Sequence, residues 1–176
     1  MPLAGVVGKV RPATQNDLER IQYVARQTWA AAYRGIIPEN IQEKMLVSWY
    51  SLDQLKRVLE QGDAMLYVFE VGSEIVGFAQ FVIRSGGLGQ LTRIYVLPAY
   101  QRMGVGRALL YGGLKFLMEK GVGELRVVVE RKNIVGRRFY ERVGFRWLRD
   151  FEDEIKDQEL GVFTLELSEY TLSLSK

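Results

Sequence analysis

Between residues 90 and 130 the hydrophobic period of the chain changes twice, and few folds accommodate both changes at that spacing. "QLTRIYV" reads as a strand, and "AYQRMGVGRALL" then places two glycines two residues apart, flanked by Arg102 and Arg107. From Arg102 to Lys120 the apolar residues Val105, Ala108, Leu109, Gly112 and Phe116 fall on one helical stripe, with Leu110, Leu114 and Leu117 beside it. That spacing predicts a helix with a wide buried face. "LRVVVE" follows, and an unbroken apolar run in a strand implies cover on both faces, as parallel strands have. The segment therefore reads as a βαβ unit with a right-handed crossover. At its strand-to-helix turn the first helix amides lack partners and form an anion site, which Gly104 and Gly106 would open to close approach and the arginines would charge. The competing reading is that these glycines only let the helix pack tightly, as Gly112 and Gly113 would within it.

The flanks add elements of both kinds. "GKVRPAT" reads as a short first strand, and Thr14 with Asp17 as a capping box opening a helix that runs to about Tyr33. Leu18, Ile21, Val24, Ala25 and the pair Thr28 and Trp29 give it one buried face. Gly35 and Pro38 break it, and "ENIQEKMLVSWY" and "SLDQLKRVLEQG" read as two short helices, the second ending at Gly62. "AMLYVFEVGSEIVGFAQFVIR" is a hairpin turning at Gly72 and Ser73, with a third antiparallel strand from about Gln90 to Val96. "NIVGRRFYERVGF" predicts a helix ending at Gly144, "FRWLRDFED" and "GVFTLELSE" two further strands, and "YTLSLSK" a loosely held tail. One α/β (α+β) domain over residues 1–176 is the expectation, since 176 residues leave little room for two cores.

Composition narrows the chemistry. Cysteine and histidine are both absent, which excludes disulfides, thiolate metal sites, a cysteine nucleophile and an imidazole base, and no metal site is expected. The net charge of +3 fits an anionic ligand but shows no basic stripe, so nucleic acid is not an expected partner. No apolar stretch approaches the roughly 18 residues of a membrane span, and the amino terminus lacks a secretion signal, so the expected location is cytoplasmic, with no membrane partner. A dinucleotide-binding turn would need glycine where Leu109 stands, and no Gly-Lys-Ser/Thr exists for a P-loop.

The run from Gln101 to Gly106 matches Gln/Arg-x-x-Gly-x-Gly/Ala, and here the chain resembles the GNAT superfamily of acyl-CoA-dependent N-acetyltransferases. "LTRIYVLPAYQRMGVGRALL" is similar to that family's acetyl-CoA motif, and "NIVGRRFYERVGF" to its second motif, Asn-x-x-Ala-x-x-Phe-Tyr-x-x-x-Gly-Phe, with Gly136 in the place of Ala. The matched core spans about positions 90 to 146, and "TWAAAYRGIIPENI" is similar to the early helix and loop of bacterial spermidine/spermine acetyltransferase-like members.

The resemblance implies a GNAT fold: a central mixed, mostly antiparallel twisted sheet of about seven strands, flanked by helices, with one parallel, splayed strand pair. It implies that backbone groups of Ile94, Tyr95 and Val96 meet the acetyl and pantetheine portions of acetyl-CoA, the acyl donor. The pyrophosphate would lie on the segment Gln101, Arg102, Met103, Gly104, Val105, Gly106, Arg107 and Ala108, held by amides from Met103 onward. Asn133 would bond the pantetheine arm, a role compatible with capping its helix. Tyr140 matches the family's donor of a proton to the leaving thiolate. Gln90 stands where many relatives carry a glutamate base, which makes Glu130 the candidate if alternation turns it inward; it could equally be a solvated strand-end charge, and Tyr95 and water remain open. The activity implied is direct acetyl transfer to a primary amine, with a small molecule such as a polyamine as partner. A protein amino terminus or lysine, a non-catalytic acyl-CoA-binding module, and a homodimer stay as alternatives.

Overall fold

A computed structural model describes residues 5–174. The elements run β1 (Lys9–Pro12), a 3-10 turn (Gln15–Asp17), α1 (Leu18–Ala32), α2 (Glu39–Trp49), α3 (Leu52–Glu60), β2 (Ala64–Val71), β3 (Glu74–Arg84) and β4 (Leu88–Val96). After a second 3-10 turn (Pro98–Tyr100) come α4 (Val105–Glu119), β5 (Glu124–Glu130), α5 (Ile134–Arg142), β6 (Arg146–Asp157) and β7 (Gly161–Ser173). Seven strands form one sheet in the order β1-β2-β3-β4-β5-β7-β6, in which only β4 and β5 pair in parallel. This is the mixed, mostly antiparallel architecture expected from the sequence.

Side-chain alternation along the strands splits the core in two. Leu66, Val68, Phe78 and Val82 pack with α1, α2 and α3 on one face, where Ile21, Val24, Ala25 and Leu55 are inaccessible to solvent. Val76, Ala79, Phe81, Leu125 and Val127 pack with α4 and α5 on the other, together with Leu109, Leu110 and Leu117. The first helix opens on the predicted capping box: the Asp17 carboxylate accepts from the Thr14 amide at 2.8 Å and is also bound by Arg11.

Two expectations need correction. The segment "YTLSLSK" is no loose tail over its described part, because β7 continues to Ser173 and pairs with β5 from Leu167 to Ser173. Tyr170 is fully buried; its hydroxyl accepts from Arg137 Nε at 3.0 Å and donates to Glu141 Oε1 at 3.1 Å, tying the strand to α5. Residues 175 and 176 lie outside the described residues. The fourth helix starts at Val105 rather than Arg102, since Gly104 caps it with φ of 85°, a left-handed conformation that suits glycine.

Tight packing is the role of Gly113, as the sequence suggested. A Cβ there would stand 2.0 Å from Cζ of the buried Phe81 ring, whereas one at Gly112 would meet only Val10 Cγ1, at 3.0 Å. Gly113→Ala is therefore expected to destabilise the protein by about 1–3 kcal/mol, although alanine gains about 1 kcal/mol of helix propensity. Gly112→Ala should cost less, and denaturant unfolding of the two variants side by side measures the difference.

Candidate active site

The parallel pairing of β4 with β5 covers only Leu88–Leu91 against Glu124–Val127. The cause lies one residue on. Against β3 the register jumps from Phe81 opposite Leu91 to Gln80 opposite Arg93, which leaves Thr92 as the extra residue of a bulge, its hydroxyl donating to Gln80 O at 3.2 Å. A bulge bends its strand and increases local twist, so β4 leaves β5 just after the last parallel pair.

Register fixes which peptide groups line the gap. The Leu97 amide donates to Val76 O, so the same alternation commits the backbone of Tyr95 to Phe78 and turns that of Ile94 and Val96 away from β3, toward β5. On the opposite edge Arg131 N donates to Glu166 O, which commits the backbone of Val129 to β7 and turns that of Val128 and Glu130 toward β4. The gap is thus edged by peptide groups of Ile94 and Val96 on one side and Val128 and Glu130 on the other. Tyr95 corrects the sequence reading, since only its side chain is available. Val128 was missed, because nothing in a valine run marks which peptide groups lose their partner.

The gap runs toward the start of α4. The side-chain amide of Gln101 donates to Val96 O at 3.0 Å and fastens the loop to the strand end. Arg102 holds φ of 63°, the one positive value among the described residues other than glycine, and Gln101, Arg102, Met103, Gly104 and Arg107 are all exposed. A Cβ on Gly104 would meet nothing within 4 Å, so open space lies in front of the loop amides. Ala108 is a second correction, because its amide already donates to Gly104 O at 3.0 Å; those of Val105, Gly106 and Arg107 precede the first intrahelical bond. Gly106 is a third: its Cβ would lie 3.2 Å from the Phe139 ring, so it lets α4 and α5 approach instead of clearing space for a ligand.

Asn133 caps α5, its Oδ1 accepting from Gly136 N at 3.1 Å. A Cβ at position 136 would stand 2.9 Å from Asn133 Nδ2, so glycine in place of alanine lets the asparagine amide lie over the first turn. Tyr140, on the same helix, is 7% exposed and packed edge-on against Phe139 and Phe145. Its hydroxyl has no hydrogen-bond partner among the described residues, and loss of water around it raises its pKa well above the ordinary tyrosine value. Glu130 is buried, yet its Oε2 accepts from the Lys132 amide at 2.6 Å, so it is neither a solvated strand end nor an idle carboxylate.

Across the sheet from Tyr140 lies an aromatic cluster that the sequence did not announce. Trp29 meets Tyr33, Tyr50 and Tyr95 at centroid distances of 5.1, 6.0 and 6.4 Å, and Arg93 sits 4.3 Å above the Tyr50 ring. These residues come from α1, the end of α2 and β4, so no local pattern joins them.

The comparisons settle the family. A model of the acetyltransferase (GNAT) family matches residues 25–145. The chain belongs to that family. It is 31% identical over 142 residues to a spermidine N(1)-acetyltransferase of Thermoplasma acidophilum, covering 78% of this chain and 88% of that one. A mycothiol acetyltransferase of Thermobispora bispora is 32% identical over 113 residues, 58% of this chain and 38% of that one. The crystal structure of the PaiA N-acetyltransferase of Thermoplasma acidophilum, in complex with coenzyme A, superposes with a TM-score of 0.78 at 28% identity over 93% of this chain and 98% of that one. The fold alone is shared with the ribosomal-protein-S18-alanine N-acetyltransferase of Escherichia coli, at a TM-score of 0.71 and 19% identity over 97% and 96%. As a GNAT protein the chain is an acetyl-CoA-dependent N-acetyltransferase, and its residues fit that donor: peptide edges without a partner strand in the gap and open amides with two arginines beyond them. No helix among the described residues is long and apolar enough to cross a membrane.

Proposed function

We propose that the protein moves the acetyl group of acetyl-CoA by direct attack onto a small cationic primary amine, of which polyamines are the leading class. The observation that carries the transfer is the gap between β4 and β5, whose peptide edges lack a partner strand and suit a pantetheine amide chain, and whose far end opens on the α4 amides. Ile94, Val96 and Val128 would bond the arm, Asn133 would meet it at β5, and Gly104 to Arg107 would hold the pyrophosphate. Tyr140 then stands on the α5 side of the gap as donor to the departing sulfur.

For the acceptor, the support is electrostatic. Between residues 150 and 169 the chain carries eight carboxylates and one lysine, although its net charge is +3, so β6 and β7 form an acidic arm on a basic body. A cleft of about 590 Å³ lies between the α1–α2 loop and Phe163 of β7, with Glu39 and Glu43 in its wall beside Arg26 and Arg34. An alkyl amine with a pKa near 10.4 is neutral about once in 2,500 molecules at pH 7, a cost of roughly 4.6 kcal/mol that proton removal must offset. The relative that acts on spermidine agrees with this class.

Thiol release from acetyl-CoA with spermidine, spermine, simple alkyl amines, amino acids and a peptide amino terminus provides the test. Polyamines are expected to give the highest kcat/KM, with salt weakening the preference. Faster turnover of the peptide would replace the small-molecule reading, and cofactor binding without any acceptor-dependent release would replace catalysis by a binding role.

A further inference from the structure

The α4 amides account for the diphosphate of the donor, which leaves its remaining phosphate, on the 3′ oxygen of the ribose, without a partner. Where the nucleoside goes from the loop depends on what flanks α4. Gly112 faces β1, since a Cβ there would meet Val10 Cγ1 at 3.0 Å, and the chain before β1 reaches the loop, where a Cβ on Gly5 would lie 3.7 Å from Met103 O. That side is taken. The other flank belongs to α5, which the first turn of α4 touches at Gly106, whose Cβ would stand 3.2 Å from the Phe139 ring. Arg107 is exposed and lies about 140° round the helix from Gly112, on the flank away from β1.

Across this seam, α5 carries three arginines, and the fold uses only one of them internally. Arg137 Nε donates to the Tyr170 hydroxyl at 3.0 Å and its Nη1 to Arg131 O at 2.9 Å. Arg138 and Arg142 are exposed, and neither they nor Arg107 make an ion pair or hydrogen bond among the described residues. Arg142 sits in the last turn, where a cation meets the free carbonyls of its own helix. Arg138 has no such reason to be there. It stands on the outer surface of α5, next to the residue that touches α4. The carboxylate three residues on, Glu141, accepts from Tyr170 at 3.1 Å, and Arg142, four residues on, repels it. Val135, three residues before Arg138 and four before Phe139, is 62% exposed and adds apolar surface at the same seam.

We propose that Arg107 and Arg138 hold the 3′-phosphate of acetyl-CoA from the two sides of the α4–α5 seam, with the adenine against Val135, so that the protein selects 3′-phosphorylated donors. The proposal rests on the donor reading above and carries it past the diphosphate. Two guanidinium groups without a counter-charge match a phosphomonoester, which bears about −1.5 to −2 charges at neutral pH and three acceptor oxygens. The contact lies far along the cofactor from the acetyl group, so it acts on affinity and not on the chemical step.

Calorimetry with acetyl-CoA and acetyl-3′-dephospho-CoA, which differ only in that phosphate, provides the test. Wild type is expected to bind the dephospho compound about ten- to a hundredfold more weakly. Arg138→Ala puts a strong helix former on an exposed face, so its fold should hold. The variant should lose about tenfold toward acetyl-CoA and nothing toward the dephospho compound, and Arg138→Lys should recover part of the loss. In steady state KM for acetyl-CoA should rise with kcat unchanged. A wild type that binds both donors equally, or an Arg138→Ala variant that weakens both alike, overturns the 3′-phosphate assignment alone. So does an Arg142→Ala variant that loses as much selectivity as Arg138→Ala, since a diffuse positive field would then explain the preference. A wild type that binds neither compound overturns the donor reading and this inference with it.

Discussion

Replacing Tyr140 with phenylalanine is expected to lower kcat by about a hundred- to a thousandfold, while KM for acetyl-CoA changes by no more than a few-fold. The asymmetry follows from where the hydroxyl is and what it lacks. The ring packs against Phe139, Phe145 and Tyr170, and phenylalanine keeps those contacts. The hydroxyl bonds to no described residue, so removing it leaves no protein group unpaired and the melting temperature should hold. Its expected contribution comes only as negative charge develops on sulfur, and an interaction confined to the transition state appears in kcat. With ordinary values of about 8.5 for a thiol and 10 for a tyrosine, complete transfer is already uphill by roughly 2 kcal/mol, and burial of Tyr140 makes it steeper. A pKa above the usual tyrosine range also keeps this proton in place through alkaline pH, so Tyr140 itself should not set an alkaline limb in the wild type's range of stability. Steady-state thiol release, with acetyl-CoA affinity measured separately by calorimetry, checks both halves; an unchanged kcat would remove Tyr140 from the mechanism.

The parts of this site legible in the sequence were those with a local period or a local cap. The change from alternation to a stripe of three and four marked α4, the unbroken run marked β5, and Asn133 ahead of "IVGRRFYER" marked α5 with its cap. What stayed hidden depends on partners far along the chain. The bulge at Thr92 arises from its pairing with Gln80, and threonine in a strand gives no sign of it. Tyr170 looked like tail because its segment mixes hydroxyls with leucines, yet its hydroxyl joins Arg137 and Glu141 beneath α5. Glu130 could be read as inward or solvated, and the structure gives a third state, since a turn amide two residues on had no helix carbonyl to bond and took the carboxylate. Gly104 and Gly106 look alike on paper and differ in space: one faces open solvent with a left-handed backbone, the other faces Phe139.

That difference makes Gly104→Glu the sharpest test of the donor site. At φ of 85° any residue with a Cβ is strained by about 1–2 kcal/mol, but nothing lies within 4 Å of the new atom, and a carboxylate at a helix start regains about 0.3–1 kcal/mol from the dipole. The fold should therefore survive with a melting temperature only a few degrees lower. The new charge would sit where two phosphates are expected. At about 4 Å and an effective dielectric near 20, each like-charge pair costs about 4 kcal/mol, so acetyl-CoA binding should fall by at least about a hundredfold even if the side chain swings away from the worst position. Gly104→Ala carries the same strain without the charge and should lose far less. Gly106→Ala presses instead on Phe139, and should show itself in stability before affinity. Calorimetric titration of the three variants with acetyl-CoA separates charge from strain and strain from packing; equal affinities for Gly104→Glu and Gly104→Ala would mean that the diphosphate does not lie on the α4 amides.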